Sequence, residues 1–256
     1  MKNVLLTIEY DGTNFSGWQR QPGKRTVQGE LEAVLSRLCR MDVKLSGTSR
    51  TDAGVHALGQ RACFTGEFAI PVANLPRAAS DLLAAGMGPH KTGDVRVTAA
   101  REMPLDFHAR FDAKGKTYLY KIVTGDAPSV FTRNYSYFLK VRPDVECMRA
   151  AAAHIVGTHD FKCFEAAGGT PRETTVRTVS ALEITETQEG LTLAVTGDGF
   201  LYNMVRIITG TLVDVGCGKI RPDAIPQIIA SCDRQNAGHT APPQGLYLAE
   251  VYFDTF

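Results

Sequence analysis

The stretch Gly115-Lys116-Thr117-Tyr118-Leu119-Tyr120-Lys121-Ile122-Val123-Thr124 alternates with a period of two. Tyr118, Tyr120 and Ile122 fall on one face, and Leu119, Lys121 and Val123 on the other, which is the signature of a β-strand. Its weight comes from what flanks it. Before it, Val4–Tyr10 is a β-rich run stopped by the turn dipeptide Asp11-Gly12. Thr26 stands as the N-cap of a helix in which Val27, Leu31, Val34, Leu35 and Leu38 recur at helical spacing. Residues 43–48 and 58–66 read as strands around a Gly/Asp loop. Residues 74–85 read as a helix with Leu75, Ala78, Ala79, Leu82 and Leu83 on one side, and 94–100 as a strand. The order is β-α-β-β-α-β.

Beyond it, a short strand near 135–140 precedes a helix that Asp144 caps and that runs through Ile155. Strands at 175–186 and 191–197 flank Glu189-Gly190, a hairpin signal. A helix from about Leu201 to Val215, a shorter one after Pro222 and a strand at 246–253 follow. Once the leading strand is set aside, the order is again β-α-β-β-α-β. The repeat predicts an α+β protein of two ferredoxin-like, RRM-like subdomains with antiparallel sheets, residues 1–105 and 106–256, joined around a central active-site cleft. Each sheet is expected to carry its helices on one face and leave the other open for a ligand. RNA-recognition modules stack bases on such a face, but the fold alone assigns no function. The loops at 11–26, 125–133 and 157–173 have lengths typical of functional loops.

The bulk properties exclude more than they assign. A chain of 256 residues with 44% hydrophobic content can build one large domain or two small ones. A net charge of +1 gives no global nucleic-acid signature, although residues 20–50 are locally basic and can attract a polyanion. The six cysteines, at 39, 63, 147, 163, 217 and 232, form no C-x-x-C and no zinc-like spacing. They read as small core residues in a reducing compartment. No signal-peptide pattern and no apolar stretch of membrane-spanning length occurs, so no membrane association and a cytoplasmic location are expected.

The chemistry concentrates in Ser49-Arg50-Thr51-Asp52-Ala53-Gly54-Val55-His56-Ala57, between two predicted strands. A free aspartate titrates near roughly 3.9, so at neutral pH Asp52 is an anion able to act as nucleophile or base. The same residue types also suit a turn in which Asp52 bonds its own backbone toward Gly54. Arg206 is a second conspicuous residue. It is a cation among Met204, Val205, Ile207 and Ile208, expensive unless paired or snorkelling to solvent.

The loop resembles the signature of the TruA family of tRNA pseudouridine synthases, and the likeness extends along the chain. Tyr10-Asp11-Gly12-Thr13-Asn14-Phe15-Ser16-Gly17-Trp18-Gln19-Arg20-Gln21-Pro22 and Thr26-Val27-Gln28-Gly29-Glu30-Leu31-Glu32 are similar to the family's N-terminal segment. Phe107-His108-Ala109-Arg110-Phe111 and Lys116-Thr117-Tyr118-Leu119-Tyr120 are similar to its central segment. Gly199-Phe200-Leu201-Tyr202-Asn203-Met204-Val205-Arg206, Gly210-Thr211-Leu212, Thr240-Ala241-Pro242-Pro243 and Gly245-Leu246-Tyr247-Leu248 are similar to its late segments. Ser49 departs from the pattern, in a position where the family more often has Gly.

The resemblance implies an isomerase that converts uridines of the tRNA anticodon stem-loop, at tRNA positions 38–40 on its 3′ side, to pseudouridine. It implies no cofactor and no metal, tRNA as partner, and a homodimer. It places the catalytic carboxylate on Asp52. It places the guanidinium that fills the space of the extruded base on Arg50, the aromatic that stacks on the uracil on Tyr118, and the partner that keeps the carboxylate ionised on Arg206. Without the family, Arg50 is an ordinary surface arginine and Tyr118 a core aromatic. His56 contacts phosphate or packs at a strand start, and Tyr120 is assigned to packing. Arg20, Lys24, Arg25, Lys114 and Lys116 are candidate phosphate contacts. Two rivals remain: a non-catalytic RNA-binding protein with two RRM-like units, and a metal-dependent phosphohydrolase built on His159-Asp160 with Asp52 and His56.

Overall fold

The structure is a computed structural model and describes residues 1–85, 92–169 and 173–254. In chain order its strands are β1 (Lys2–Tyr10), β2 (Ser46–Gly47), β3 (His56–Gly66), β4 (Val95–Met103), β5 (Gly115–Thr124), β6 (Tyr137–Leu139), β7 (Gly157–Asp160), β8 (Val176–Glu186), β9 (Gly190–Gly197) and β10 (Leu246–Tyr252). Its α-helices are α1 (Val27–Cys39), α2 (Leu75–Leu83), α3 (Val145–Ala153), α4 (Met204–Gly216) and α5 (Ile225–Ser231). The chain divides into two compact units, residues 1–114 with 247–256, and residues 115–246.

In the first unit β1 is central, antiparallel to both β3 and β4, while β2 lies antiparallel to the far edge of β3. That is the interleaved order of a β-α-β-β-α-β unit. The last strand, which the order of elements assigned to the second half, pairs in parallel with β3 here, Tyr247 opposite His56. Helix α1 starts where its sequence dictates: Thr26 is extended, and its hydroxyl accepts the Gly29 N–H at 3.3 Å. Val27, Leu31 and Leu35 then bury fully, as do Val4, Leu6 and Ile8 of β1. Helix α2 packs on β4 and on α1.

Two further expectations fail in this unit. Residues 43–48 shrink to the two-residue β2, because α1 takes their backbone donors. Val43 N–H goes to Ser36 Oγ at 2.9 Å and Leu45 N–H to Glu32 Oε1 at 2.9 Å. Nor is the second sheet face open throughout. Leu5, Cys63 and Met103 form a buried cluster with Phe107 and Ala109, and Phe253 packs against it.

In the second unit the strand order is β5-β9-β8-β7, all antiparallel, with β6 parallel to β5. The alternation of residues 115–124 holds: Tyr118, Tyr120 and Ile122 are buried, while Leu119, Lys121 and Val123 are not. Asp144 caps α3 by accepting the Cys147 N–H at 2.9 Å, and α3 packs on α4 and β8. Part of the expected loop at 157–173 is the strand β7, from Gly157 opposite Val179 to Asp160 opposite Val176, and residues 170–172 lie outside the described residues. Helix α4 begins at Met204 rather than near Leu201, because Asn203 is left-handed, at φ 60°. The architecture is α+β with mainly antiparallel sheets, as the repeat predicts.

Candidate active site

The segment from Tyr10 to Trp18 builds the seat for the loop that carries Asp52. The Tyr10 hydroxyl meets Thr51 Oγ1 at 2.6 Å, and Trp18 N–H donates to the Thr51 carbonyl at 3.0 Å. A Cβ on Gly12 would stand 2.0 Å from the Val55 carbonyl oxygen, and one on Gly17 2.7 Å from the Thr51 carbonyl oxygen. These positions accept nothing larger than glycine, since backbone lies on backbone. From the other side, the fully buried Gln60 amide receives the Ser49 N–H at 3.2 Å and donates to the Ser49 carbonyl at 2.7 Å. The Thr48 hydroxyl donates to the Ala109 carbonyl at 2.8 Å.

Between these clamps the chain turns. Val55 N–H donates to the Asp52 backbone carbonyl at 3.1 Å, and Gly54 takes φ 77°. The turn is thus closed by the main chain of Asp52. Asp52 itself is half-buried, and Arg50 is exposed. The Ser49 hydroxyl is buried without a hydrogen-bond partner.

His56 is a packing residue of this frame. It is buried, and its ring stacks on Tyr247 at 4.7 Å. Its Nδ1 accepts the Gly12 N–H at 3.1 Å, so that nitrogen holds a lone pair and cannot donate to Asp11 Oδ1 at 3.3 Å. Asp11 Oδ1 serves the Thr13 N–H at 2.9 Å instead.

The proposed phosphate contacts are largely engaged within the unit. Arg25 lies 2.6 Å from Glu30 and 2.7 Å from Asp94, with its guanidinium over the Phe15 ring. Burial alone would lower the Arg25 pKa, but the hydrogen bonds to Glu30 and Asp94 outweigh it and raise it. Arg20 faces Glu32 at 3.5 Å and Lys114 faces Asp254 at 3.0 Å. The Lys114 pair is exposed and weak and the Arg25 pairs are partly exposed, whereas the carboxylate that Arg20 faces is buried.

Tyr118 and Arg206 belong to the second unit. Tyr118, on β5, is buried and meets Phe200 edge-on at 5.2 Å. Arg206, on the first turn of α4, does not simply snorkel. Its Nε donates to the Ala241 carbonyl at 2.8 Å and its Nη1 to Asn203 Oδ1 at 2.6 Å. Tyr120 is a core residue as assigned: it is fully buried and donates its hydroxyl to the Pro242 carbonyl at 2.6 Å. Burial raises its pKa, and the nearby Arg206 charge only partly offsets this. The sequence motifs include Asn203 and residues 240–242, but not their bonds to Arg206, which are set by tertiary contact. An Asn next to a helix start reads as a cap, and here its side chain caps nothing.

The phosphohydrolase rival finds no support. His159 and Asp160 are neighbours on β7, where Asp160 Oδ1 accepts from Thr175 Oγ1 at 2.5 Å and His159 Nε2 lies 3.3 Å from the Val156 carbonyl. No group of three or more metal-ligand side chains occurs among the described residues.

Comparison with known proteins agrees with the loop signature. A family model described as tRNA pseudouridine synthase matches residues 6–112 and 151–254. The tRNA pseudouridine synthase A of Acetivibrio thermocellus is 46% identical over 253 residues, covering 99% of this chain and 100% of that one. The protein of the same name from Bacillus subtilis is 47% identical over 253 residues, covering 98% and 99%. That of Caldicellulosiruptor bescii is 44% identical, covering 99% and 100%.

Proposed function

The chain belongs to the tRNA pseudouridine synthase family, and from that premise we propose that it isomerises uridines of the tRNA anticodon stem-loop with Asp52 as the catalytic carboxylate. It is an isomerase acting on tRNA, which leaves no need for the non-catalytic RNA-binding alternative. The finer reading concerns which uridines and which side chains. The observation that carries it is the half-buried Asp52, on a turn clamped by Tyr10, Trp18, Gln60 and Gly12. Such a frame holds a reacting group in place before substrate arrives.

In the reaction, the bond from N1 of uracil to the ribose C1′ breaks and the uracil turns while held. A bond from C5 to C1′ forms, the C5 proton leaves to solvent and N1 regains a proton. Nothing is oxidised and nothing is transferred to a second molecule, so neither metal nor nucleotide is required. Asp52 acts on the nucleoside as nucleophile or base. Tyr118 stacks on the uracil, a contact worth about 1–3 kcal/mol. Arg206 keeps the carboxylate ionised. Extruding a stacked base costs a few kcal/mol, and the exposed Arg50 supplies a planar cation to fill the vacated space and meet phosphate. A homodimer, working in the cytoplasm, offers one tRNA two such surfaces.

The test is tritium release from tRNA labelled at uridine C5, with chelator present and no nucleotide added. Release is expected, with pseudouridine mapped to the anticodon stem-loop. No release from unmodified whole tRNA, or unchanged release by Asp52→Ala, overturns the reading. Mixing Asp52→Ala subunits with RNA-binding-deficient ones tests the shared substrate, since complementation needs a dimer.

A further inference from the structure

Arg206 is held from two directions, by a backbone carbonyl and by a side-chain amide. A guanidinium on a free side chain samples many rotamers, so a fixed plane has to be imposed by its partners. Here two different nitrogens reach two acceptors, Ala241 O at 2.8 Å and Asn203 Oδ1 at 2.6 Å, which fixes the guanidinium plane. Asn203 is the telling residue. It precedes α4 in the left-handed region, at φ 60° and ψ 9°, and its side chain makes no capping bond. The amide that an N-cap Asn ordinarily gives to the helix backbone is given to Arg206 instead.

The second acceptor is held as firmly. Residues 237–242 form a strap seated on α4. Gly238 N–H donates to Thr211 Oγ1 at 2.9 Å, and a Cβ on Gly210 would stand 1.8 Å from the His239 carbonyl oxygen. Asp214 Oδ2 takes both the His239 ring Nδ1 at 2.9 Å and the His239 N–H at 3.2 Å. Ala241 N–H returns to the Arg206 carbonyl at 3.0 Å, and Tyr120 holds Pro242 from β5.

We infer that Asn203, together with the strap that Asp214 and His239 pin to α4, is the positioning apparatus that aims the Arg206 guanidinium for the reaction. The inference rests on the reading of Arg206 given above. Asn203 does not touch substrate in this account; it acts through Arg206.

Asn203→Gly separates the two roles, because Gly keeps the left-handed backbone and loses the acceptor. Asn203→Asp restores an acceptor. Single-turnover rate and tRNA affinity are measured for both, for Arg206→Ala and for the double variant Asn203→Gly/Arg206→Ala. Asn203→Gly is expected to slow the step about 10–100-fold, the worth of a hydrogen bond to a charged group. Affinity for tRNA should stay within about threefold, and Asn203→Asp should recover most of the rate. Adding Asn203→Gly to Arg206→Ala should cost nothing further, as expected of one coupled unit. An unchanged rate in Asn203→Gly, or a double variant that falls by the product of the single effects, overturns the inference while Asp52→Ala still tests the function separately. Full activity in Arg206→Ala overturns the inference together with the role given to Arg206, and leaves Asp52 standing.

Discussion

The Tyr10 hydroxyl, at the end of β1, lies 2.6 Å from the hydroxyl of Thr51, the residue immediately before Asp52. Both groups are buried. Tyr10→Phe leaves the Thr51 hydroxyl without this partner, at a cost of about 1–2 kcal/mol. Urea midpoints should show that loss, and turnover should fall while tRNA affinity is retained. An unaltered turnover would show that the bond does not govern the placement of Asp52.

Gly17 tests the packing of the same loop. It sits at φ 89° with the Thr51 carbonyl oxygen 2.7 Å from any Cβ. Gly17→Ala therefore meets both a disfavoured backbone region and a collision with main chain, and should destabilise by about 2–4 kcal/mol. Turnover measured well below the unfolding temperature should drop as well, since relief of the clash must move Thr51 or Asp52.

His56 should matter to the loop as a hydrogen-bond acceptor. Its Nδ1 takes the Gly12 N–H at 3.1 Å. His56→Asn can offer an amide oxygen to that donor, whereas His56→Phe keeps a ring to stack on Tyr247 and leaves Gly12 unpaired. The Phe variant should be the less stable of the two by about 1–2 kcal/mol. The reverse order, measured by thermal or urea unfolding, would show that stacking matters more than the hydrogen bond.

Asp214 links the second unit to acid. Burial alone would raise its pKa, but hydrogen bonds from the His239 ring, Lys219 and the His239 backbone outweigh it and hold it below the usual carboxylate range. A folded pKa below the unfolded one means that the unfolded chain binds protons first as pH falls. This stabilisation is thus complete above the ordinary carboxylate range of about 4 and is lost as pH falls through the lower folded value. Comparison of urea midpoints at neutral and acid pH should show a smaller loss in Asp214→Asn than in the parent protein. Equal losses would place the acid sensitivity elsewhere.

Much of the frame was legible because it is local. The Thr26 and Asp144 caps, the alternation of residues 115–124 and the doubled element order all depend on neighbours in sequence. The parts that escaped depend on distant ones. Nothing in residues 43–48 announces that Ser36 and Glu32 will take the Val43 and Leu45 N–H groups. Nor does Gly157–Asp160 alternate strongly enough to be seen as a strand without β8 beside it. At the candidate site, the motif around Asp52 was legible in the sequence. The hold on Arg206 was not, because Ala241 stands 35 positions away in sequence.

The close approaches at Gly12 and Gly17 bear on how this site can be moved. Residues 48–56 do not carry their own shape; the shape is cast by the segment from Tyr10 to Trp18, with Gln60 and Ala109 completing the mould. Grafted alone onto another scaffold, the nine residues would bring the carboxylate but not its position. A working transplant must carry the N-terminal segment with the loop, so these two stretches, separated in sequence, form one transferable unit.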